Sequence, residues 1–217
     1  MLWRRQCARS IKVAPNAVVV DLMTGMGELC TELAKRLDVD GDLIDLDLSL
    51  VLWRHASKHT FGNRYRVIET AAWSCPIQES SVDNVYSPFG LKPFDDDQLA
   101  ALASEVRRIL RPGGAFAFLE ISVPPRCILR VPYMFYLNQI IPLLGRLFLG
   151  NPDNYRLLGV YTTAFGNCST AATLFRDAGL QVELRSYFFG CATGFVGRRP
   201  IPIDGLPPET VVTRSIV

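Results

Sequence analysis

The residues with the clearest chemical potential lie between Val18 and Leu37. An apolar β-branched run, Val18-Val19-Val20-Asp21-Leu22, leads into Met23-Thr24-Gly25-Met26-Gly27, and Leu29, Leu33 and Leu37 then recur four apart. That spacing predicts a strand, a tight turn and a helix over Glu28 to Leu37. Glycines at 25 and 27 let the backbone approach a ligand closely, and the amides of a following helix N-terminus are unpaired and point at it. At the carboxyl end of a first strand this is a nucleotide-binding arrangement. A dinucleotide loop carries a further glycine in G-x-G-x-x-G, whereas position 30 here is Cys30. The pattern therefore favours a ligand without a pyrophosphate. A lone G-x-G is equally a plain tight turn, so its surroundings decide.

A ribose diol is usually held by a carboxylate at the end of the second strand. Asp47 stands there, about 20 residues past the loop, the spacing found in such folds. Asp45, two residues earlier on the same strand face, is the competing acid, and Asp47 is nearer the carboxyl end. Leu48 would then pack on an adenine, and Ser49 would cap the next helix. Either aspartate is otherwise a solvated strand-end carboxylate.

The remaining elements must place these groups. Leu43 to Leu48 is a strand leading to a helix through His55, and Tyr65 to Glu69 is another strand. Val82 to Tyr86 is a fourth, Leu99 to Leu110 a helix, and Arg111-Pro112-Gly113-Gly114 a turn into the strand Ala115 to Ile121. This alternation predicts a parallel sheet covered on both faces. The segment from about 124 to 166 breaks the alternation and is rich in aromatic and aliphatic residues, so it is read as an insertion or lid. Then come a helix over Thr170 to Ala178 and the strands Val182 to Phe188 and Ala192 to Val196, whose short connection requires an antiparallel hairpin. The tail from Pro200 is expected to run extended.

All 217 residues suit a single domain, and a net charge of +2 with acids and bases interspersed lacks the one-sided basic face of a nucleic-acid binder. Six dispersed cysteines without a C-x-x-C pair, and two histidines, give no metal-ligand spacing. No metal is expected, and the cysteines are read as reduced. Arg4 and Arg5 have no apolar run behind them, and no stretch reads as the ~20 apolar residues of a membrane span, so a cytosolic protein is expected. A mean hydropathy slightly above zero nevertheless points to an apolar pocket or surface.

Taken together, these residues resemble the class I S-adenosylmethionine (SAM) dependent methyltransferases, and within them the ubiquinone/menaquinone C-methyltransferase group. The resemblance runs from Leu2-Trp3-Arg4-Arg5 through the final strands. It is carried by Phe89-Gly90-Leu91-Lys92, by Glu105 to Gly114 with its Arg-Pro-Gly-Gly turn, by Leu119-Glu120-Ile121-Ser122, by Tyr133 to Gly150 around Ile141-Pro142-Leu143-Leu144-Gly145, and by Tyr155-Arg156-Leu157-Leu158. It implies a Rossmann-like α/β fold with a mostly parallel seven-stranded sheet, an antiparallel C-terminal hairpin and a helical insertion. It also implies SAM as cofactor, lined by Asp21, Met23, Thr24, Gly25, Gly27, Asp47, Leu48, Ala71, Ala72 and Ser87. This chain departs from that group in three ways. Met23 stands where a small residue is usual, Lys92-Pro93 replace arginine and asparagine after Phe-Gly-Leu, and the group's N-terminal lid does not precede Leu2, so that either the chain is truncated or the pocket is more open. The usual acid after the third strand is also missing; Glu69 and the backbone at Ala71 and Ala72 are the candidates to meet the adenine amino group.

Methyl transfer from a sulfonium is an in-line displacement, so alignment supplies much of the acceleration. A carbon nucleophile reacts only when a neighbouring hydroxyl is deprotonated or polarised. Lys92 could stabilise a phenolate, with Tyr136 or Tyr155 hydrogen-bonding to it. His55 and His59 are read as helix surface, while Arg126 and Arg130 either meet acidic headgroups or keep the insertion soluble. The apolar insertion suits a small hydrophobic or aromatic acceptor and admits transient membrane contact or a homodimer interface. Three readings compete: C-methylation of a quinol-like acceptor, O- or N-methylation of a specialised metabolite, and a non-catalytic SAM-fold subunit. Asp47→Ala is expected to weaken S-adenosylhomocysteine binding tenfold or more in calorimetry; unchanged affinity would remove Asp47 from the site.

Overall fold

Strands that are apolar on both faces can be buried only if helices cover both, and the first five strands follow that demand. They are β1 (Val18–Leu22), β2 (Asp42–Asp47), β3 (Tyr65–Glu69), β4 (Val82–Pro88) and β5 (Leu110–Ile121), all parallel to one another. Two more, β6 (Gln181–Tyr187) and β7 (Ala192–Arg198), close the sheet as an antiparallel hairpin, with β7 also antiparallel to β5. The computed structural model describes residues 2–38, 40–48, 65–148 and 152–202, with the backbone alone described for 147, 148 and 152–156. The strand order is β3-β2-β1-β4-β5-β7-β6, so the chain reverses its direction of travel between β1 and β4. Ligands of open α/β sheets bind at that reversal, outside the carboxyl ends of the strands.

The pleat sends alternate residues to opposite faces. Val20, Leu22 and Val85 join one core cluster, while Val19 and Tyr86 join the other. The second is covered by α1 (Leu2–Arg9) through Cys7 and Ala8, and by α2 (Cys30–Ala34) through Cys30 and Leu33. The first lies under α3 (Asp96–Ile109), which begins with a reciprocal cap between Asp95 and Gln98. On the same face, an insertion follows β5 as α4 (Cys127–Phe135), a π-turn (Tyr136–Ile140), α5 (Ile141–Phe148) and α6 (Pro152–Phe165), and then α7 (Ser169–Asp177) returns to the core.

Three expectations change. The helix expected over Glu28 to Leu37 is regular only over Cys30–Ala34, because the Arg36 amide bonds to the Leu33 carbonyl at 2.9 Å, an i to i−3 contact that tightens the last turn. Strand β5 begins at Leu110 rather than Ala115. Val82 is paired with Leu110 and Asn84 with Ala115, so the Arg111-Pro112-Gly113-Gly114 turn bulges out within the strand. The third change concerns Cys127–Arg146, which winds continuously for 20 residues and by length and composition could cross a membrane, with only 6 % of its most apolar window buried. Arg130, Pro132, Asn138, Gln139 and Pro142 interrupt its apolar letters and hid it from the sequence reading. The helix expected through His55, with Ser49, His55 and His59, lies outside the described residues, as does most of the tail past Pro200.

Phe116, Phe118, Phe175 and Phe195 form an aromatic knot that joins β5, β7 and α7. The Phe118 and Phe195 rings stack at 5.0 Å, and Phe175 meets Phe195 edge-on at 4.9 Å. All four are at most 2 % exposed. Phe175→Ala is expected to cost about 3–5 kcal/mol of stability, read as a lower denaturation midpoint at unchanged slope.

Candidate functional site

Between β1 and α2 the backbone turns left-handed at Met23 (φ 58°), Gly25 (φ 60°) and Gly27 (φ 73°). Glycine is suited to Gly25 by its φ alone, since a Cβ there would meet nothing within 4 Å and the space over it is open. The loop is tied to its neighbours: the Thr24 amide donates to Leu46 O at 3.1 Å, its hydroxyl to Asp21 O at 2.9 Å, and the Gly25 amide to Asp47 Oδ2 at 2.8 Å. A carboxylate able to accept from a diol thus stands beside open glycine backbone. Those are the features a SAM nucleoside and its methionine tail require, and the residues fit that cofactor.

Met23 is accommodated by its neighbour. An added Cβ on Gly90 would lie 2.6 Å from the Met23 sulfur, so the bulk at 23 occupies space that glycine at 90 leaves free. Leu48 is 60 % exposed at the rim. Beyond β3, the Thr70 amide donates to Asp47 O at 3.0 Å, which brings the turn holding Ala71 and Ala72 against the end of β2. Glu69 is exposed. Ser87 is fully buried near the end of β4, and its hydroxyl has no hydrogen-bond partner among the described residues.

Asp45 and Asp47, hard to separate in the sequence, have different surroundings. Asp45 is buried and accepts from the Tyr65 hydroxyl at 2.5 Å and the Cys30 thiol at 2.7 Å. That thiol also points to Asp21 Oδ2 at 3.6 Å. Ligand atoms of Asp21, Cys30 and Asp45 all lie within 4.8 Å of one another. Burial, and then the charge of Asp45, pushes the Asp21 carboxyl well above its usual range, and burial also raises Asp45. Burial beside both carboxylates raises the Cys30 thiol too, so Cys30 stays a thiol rather than presenting a thiolate.

On the other side of the reversal, Phe89 (φ 69°) begins the loop after β4. Lys92 is not a solvated loop cation. Its ammonium pairs with Glu120 of β5, the two side chains being 9 % and 0 % exposed. Glu120 also accepts the Leu91 amide at 3.1 Å and the Ile121 amide at 2.8 Å. Burial raises the Glu120 carboxyl, against the opposing pull of Lys92. In the sequence, the one signal of a role for Glu120 is its being a lone acid within an apolar strand. The Phe89 ring is overlaid by Lys92, with Nζ 5.8 Å from its centre, and by the Arg4 guanidinium of α1 at 5.1 Å.

Tyr136 lies in the π-turn, 45 % exposed, and no hydrogen bond joins it to Lys92 among the described residues. The side chain of Tyr155 lies outside the described residues, although its backbone belongs to α6. Tyr133 is committed to structure, its hydroxyl donating to Cys191 O at 3.0 Å. A cavity of about 750 Å³ lies between the insertion and the hairpin, walled by Val123, Met134 and Leu184 among others. A larger hollow of about 970 Å³ sits at the opposite edge, beside Lys12, Asp83 and Arg111, away from the glycine loop.

The pattern of the ubiE/COQ5 methyltransferase family matches residues 1–199. A demethylmenaquinone methyltransferase of Lactiplantibacillus plantarum is 31 % identical over 202 residues, covering 91 % of this chain and 84 % of that one. One from Desulfitobacterium hafniense is 26 % identical over 203 residues, covering 91 % and 79 %. Among solved structures, a SAM-dependent methyltransferase of Aquifex aeolicus superposes with a TM-score of 0.62 at 15 % identity, covering 90 % of this chain and 89 % of that one. The Haemonchus contortus phosphoethanolamine N-methyltransferase 2, in complex with SAM, gives 0.63 at 11 % identity, covering 92 % and 52 %. At such identities the two structures show the fold.

The buried acids set a pH dependence. A carboxyl whose pKa is raised on folding contributes stability that is fully present below its unfolded value near 3.9 and lost as pH climbs through the folded value. Asp45→Asn keeps an acceptor for Tyr65 without the charge. It is expected to unfold several degrees above the unsubstituted protein at pH 8, with the difference vanishing near pH 4, by scanning calorimetry.

Proposed function

Starting from a chain that belongs to the ubiE/COQ5 methyltransferase family, and is thereby a SAM-dependent methyltransferase, we propose that it methylates a carbon of a lipophilic, quinol-like aromatic acceptor. The observation that carries this reading is the likeness along 91 % of the chain to relatives named demethylmenaquinone methyltransferase. The apolar insertion over the carboxyl edge of the sheet supports it, because a hydrophobic acceptor needs a wall that excludes water.

In this reading SAM supplies an electrophilic methyl group on a sulfonium. Asp47 holds the ribose diol, while Gly25 and Gly27, with Asp21, Met23, Thr24 and Ser87, line the cofactor. Leu48 and the backbone at Ala71 and Ala72 border the adenine. Lys92 stands at the acceptor side. Its ammonium, oriented by Glu120, would face the phenolate oxygen left when the acceptor hydroxyl gives its proton to solvent; the ring carbon would then take the methyl as the methyl–sulfur bond breaks and its electron pair stays on sulfur, and the ring proton would pass to solvent and restore aromaticity. Tyr136 or Tyr155 supplies a hydrogen bond to the same oxygen. A second reading, methyl transfer to oxygen or nitrogen of another metabolite, is favoured by one feature, the Lys92-Pro93 pair in place of arginine and asparagine.

The test is a tritiated-methyl assay over fractionated lipid extracts. Label is expected in an apolar aromatic product and to survive ester and amide hydrolysis, as a carbon-bound methyl must. Lys92→Met is expected to lower turnover by about ten- to hundredfold while leaving S-adenosylhomocysteine affinity unchanged. Label confined to a polar, non-aromatic product would reject the quinol-like acceptor.

A further inference from the structure

Ile128, Val131 and Phe135 are spaced three and four apart on α4, so they form one stripe, and they are 93, 70 and 58 % exposed. Other parts of this helical run are held to the fold: the Tyr133 hydroxyl bonds to Cys191 O, and Leu137 is 3 % exposed. Next to the start of α4 is a second apolar feature. The β6–β7 turn presents Phe188 and Phe189 with ring centres 5.7 Å apart, 65 and 68 % exposed. Gly190 then presses on Pro125, where an added Cβ would lie 2.6 Å from the ring. Both phenylalanines have left-handed backbones, φ 45° and 57°, a conformation rare for side-chain-bearing residues. A strained turn that turns two aromatic rings outward loses their burial, and among the described residues nothing covers them.

Charge identifies what covers this surface. Between Glu120 and Asp153 the sequence has no acid, but it has Arg126, Arg130 and Arg146. A two-fold dimer through the patch would set the same surface against itself and bring like charges together. An anionic lipid surface has the complementary charge, and a protruding aromatic pair can enter its headgroup region. Although Cys127–Arg146 is long enough to cross a bilayer, its attachments at Tyr133 and Leu137 lay it along the surface.

We propose that the Ile128–Val131–Phe135 stripe and the Phe188–Phe189 turn together form the face by which this protein docks on an anionic lipid surface. The proposal rests on the lipophilic-acceptor reading and extends it, since it names the place where such an acceptor is collected. The two can fail separately, because docking is measured without any acceptor.

The probe is co-sedimentation of the full chain with phosphatidylcholine vesicles that contain or lack phosphatidylglycerol. Binding is expected on the anionic vesicles, at least tenfold weaker on the neutral ones, and reduced by salt. The double variant F188G/F189G is expected to lose at least tenfold in affinity while its Tm holds or rises, because glycine accepts the left-handed backbone and a merely unfolded variant would show the opposite. I128S/V131S should lose affinity through the other half of the face. The proposal is overturned if the chain stays in solution with both vesicle types or binds both equally. It is also overturned if F188G/F189G leaves binding intact, or if that variant dissociates a dimer seen by sedimentation velocity, which would assign the face to a second copy. A polar labelled product together with persistent vesicle binding would sink the acceptor reading and leave the docking face standing.

Discussion

The hydrogen bond from the Gly25 amide to the Asp47 carboxylate joins the two strand ends on which the cofactor side of the site is built. It requires β1 and β2 to be adjacent and parallel, so that their carboxyl ends meet, and it requires the backbone to turn left-handed just past Leu22. The parallel sheet satisfies the first condition through helical crossovers, and Gly25 and Gly27 satisfy the second at little steric cost. Met23, also left-handed, is a harder case. Its side chain occupies room that Gly90 leaves open on the far side of the reversal, so the loop after β1 and the loop after β4 are shaped by one another.

Two sets of buried acids flank this junction, and their partners differ. Glu120 has a cation and two backbone amides around it, enough hydrogen bonds to keep a charge inside the protein. Because those partners come from the Phe89-to-Lys92 loop and from its own strand, the carboxylate also fixes where that loop sits. Asp21 and Asp45 have a thiol and a phenol as partners, both of which donate a proton without neutralising charge. Burial raises all three carboxyls, and of the three only Glu120 has an ion-paired cation pulling the other way. The first set positions the loop after β4, whereas the second makes the ground beneath the glycine turn sensitive to pH.

The insertion stands apart from both. Regular α/β units alternate because each crossover helix must cover a sheet face, and the residues after β5 depart from that alternation by turning several large apolar side chains toward solvent. Folding alone does not reward such exposure. Its position, beside the hairpin turn and beyond the carboxyl ends of the strands, connects an apolar surface with the edge of the sheet where the chemistry is placed.

Much of this was legible in the residues themselves, because it depends on local rules. Period-2 and period-4 apolar patterns, the glycine spacing and the Arg-Pro-Gly-Gly turn predicted the parallel sheet, its closing hairpin and the tight glycine turn after β1, for backbone geometry and side-chain periodicity act over a few residues. The stretch from Cys127 to Arg146 was harder to read because polar residues and prolines interrupt its composition without stopping its winding. Relations over long sequence distances were settled by the tertiary structure. Asp45 and Asp47 are two letters apart and look alike, yet packing against Cys30 and Tyr65 buries one and leaves the other beside the loop. Lys92 reads as a loop cation until β5 lies next to β4 and brings Glu120, 28 residues away, against it. A sequence states which groups are available; only the folded neighbours determine which charges are desolvated and which are paired.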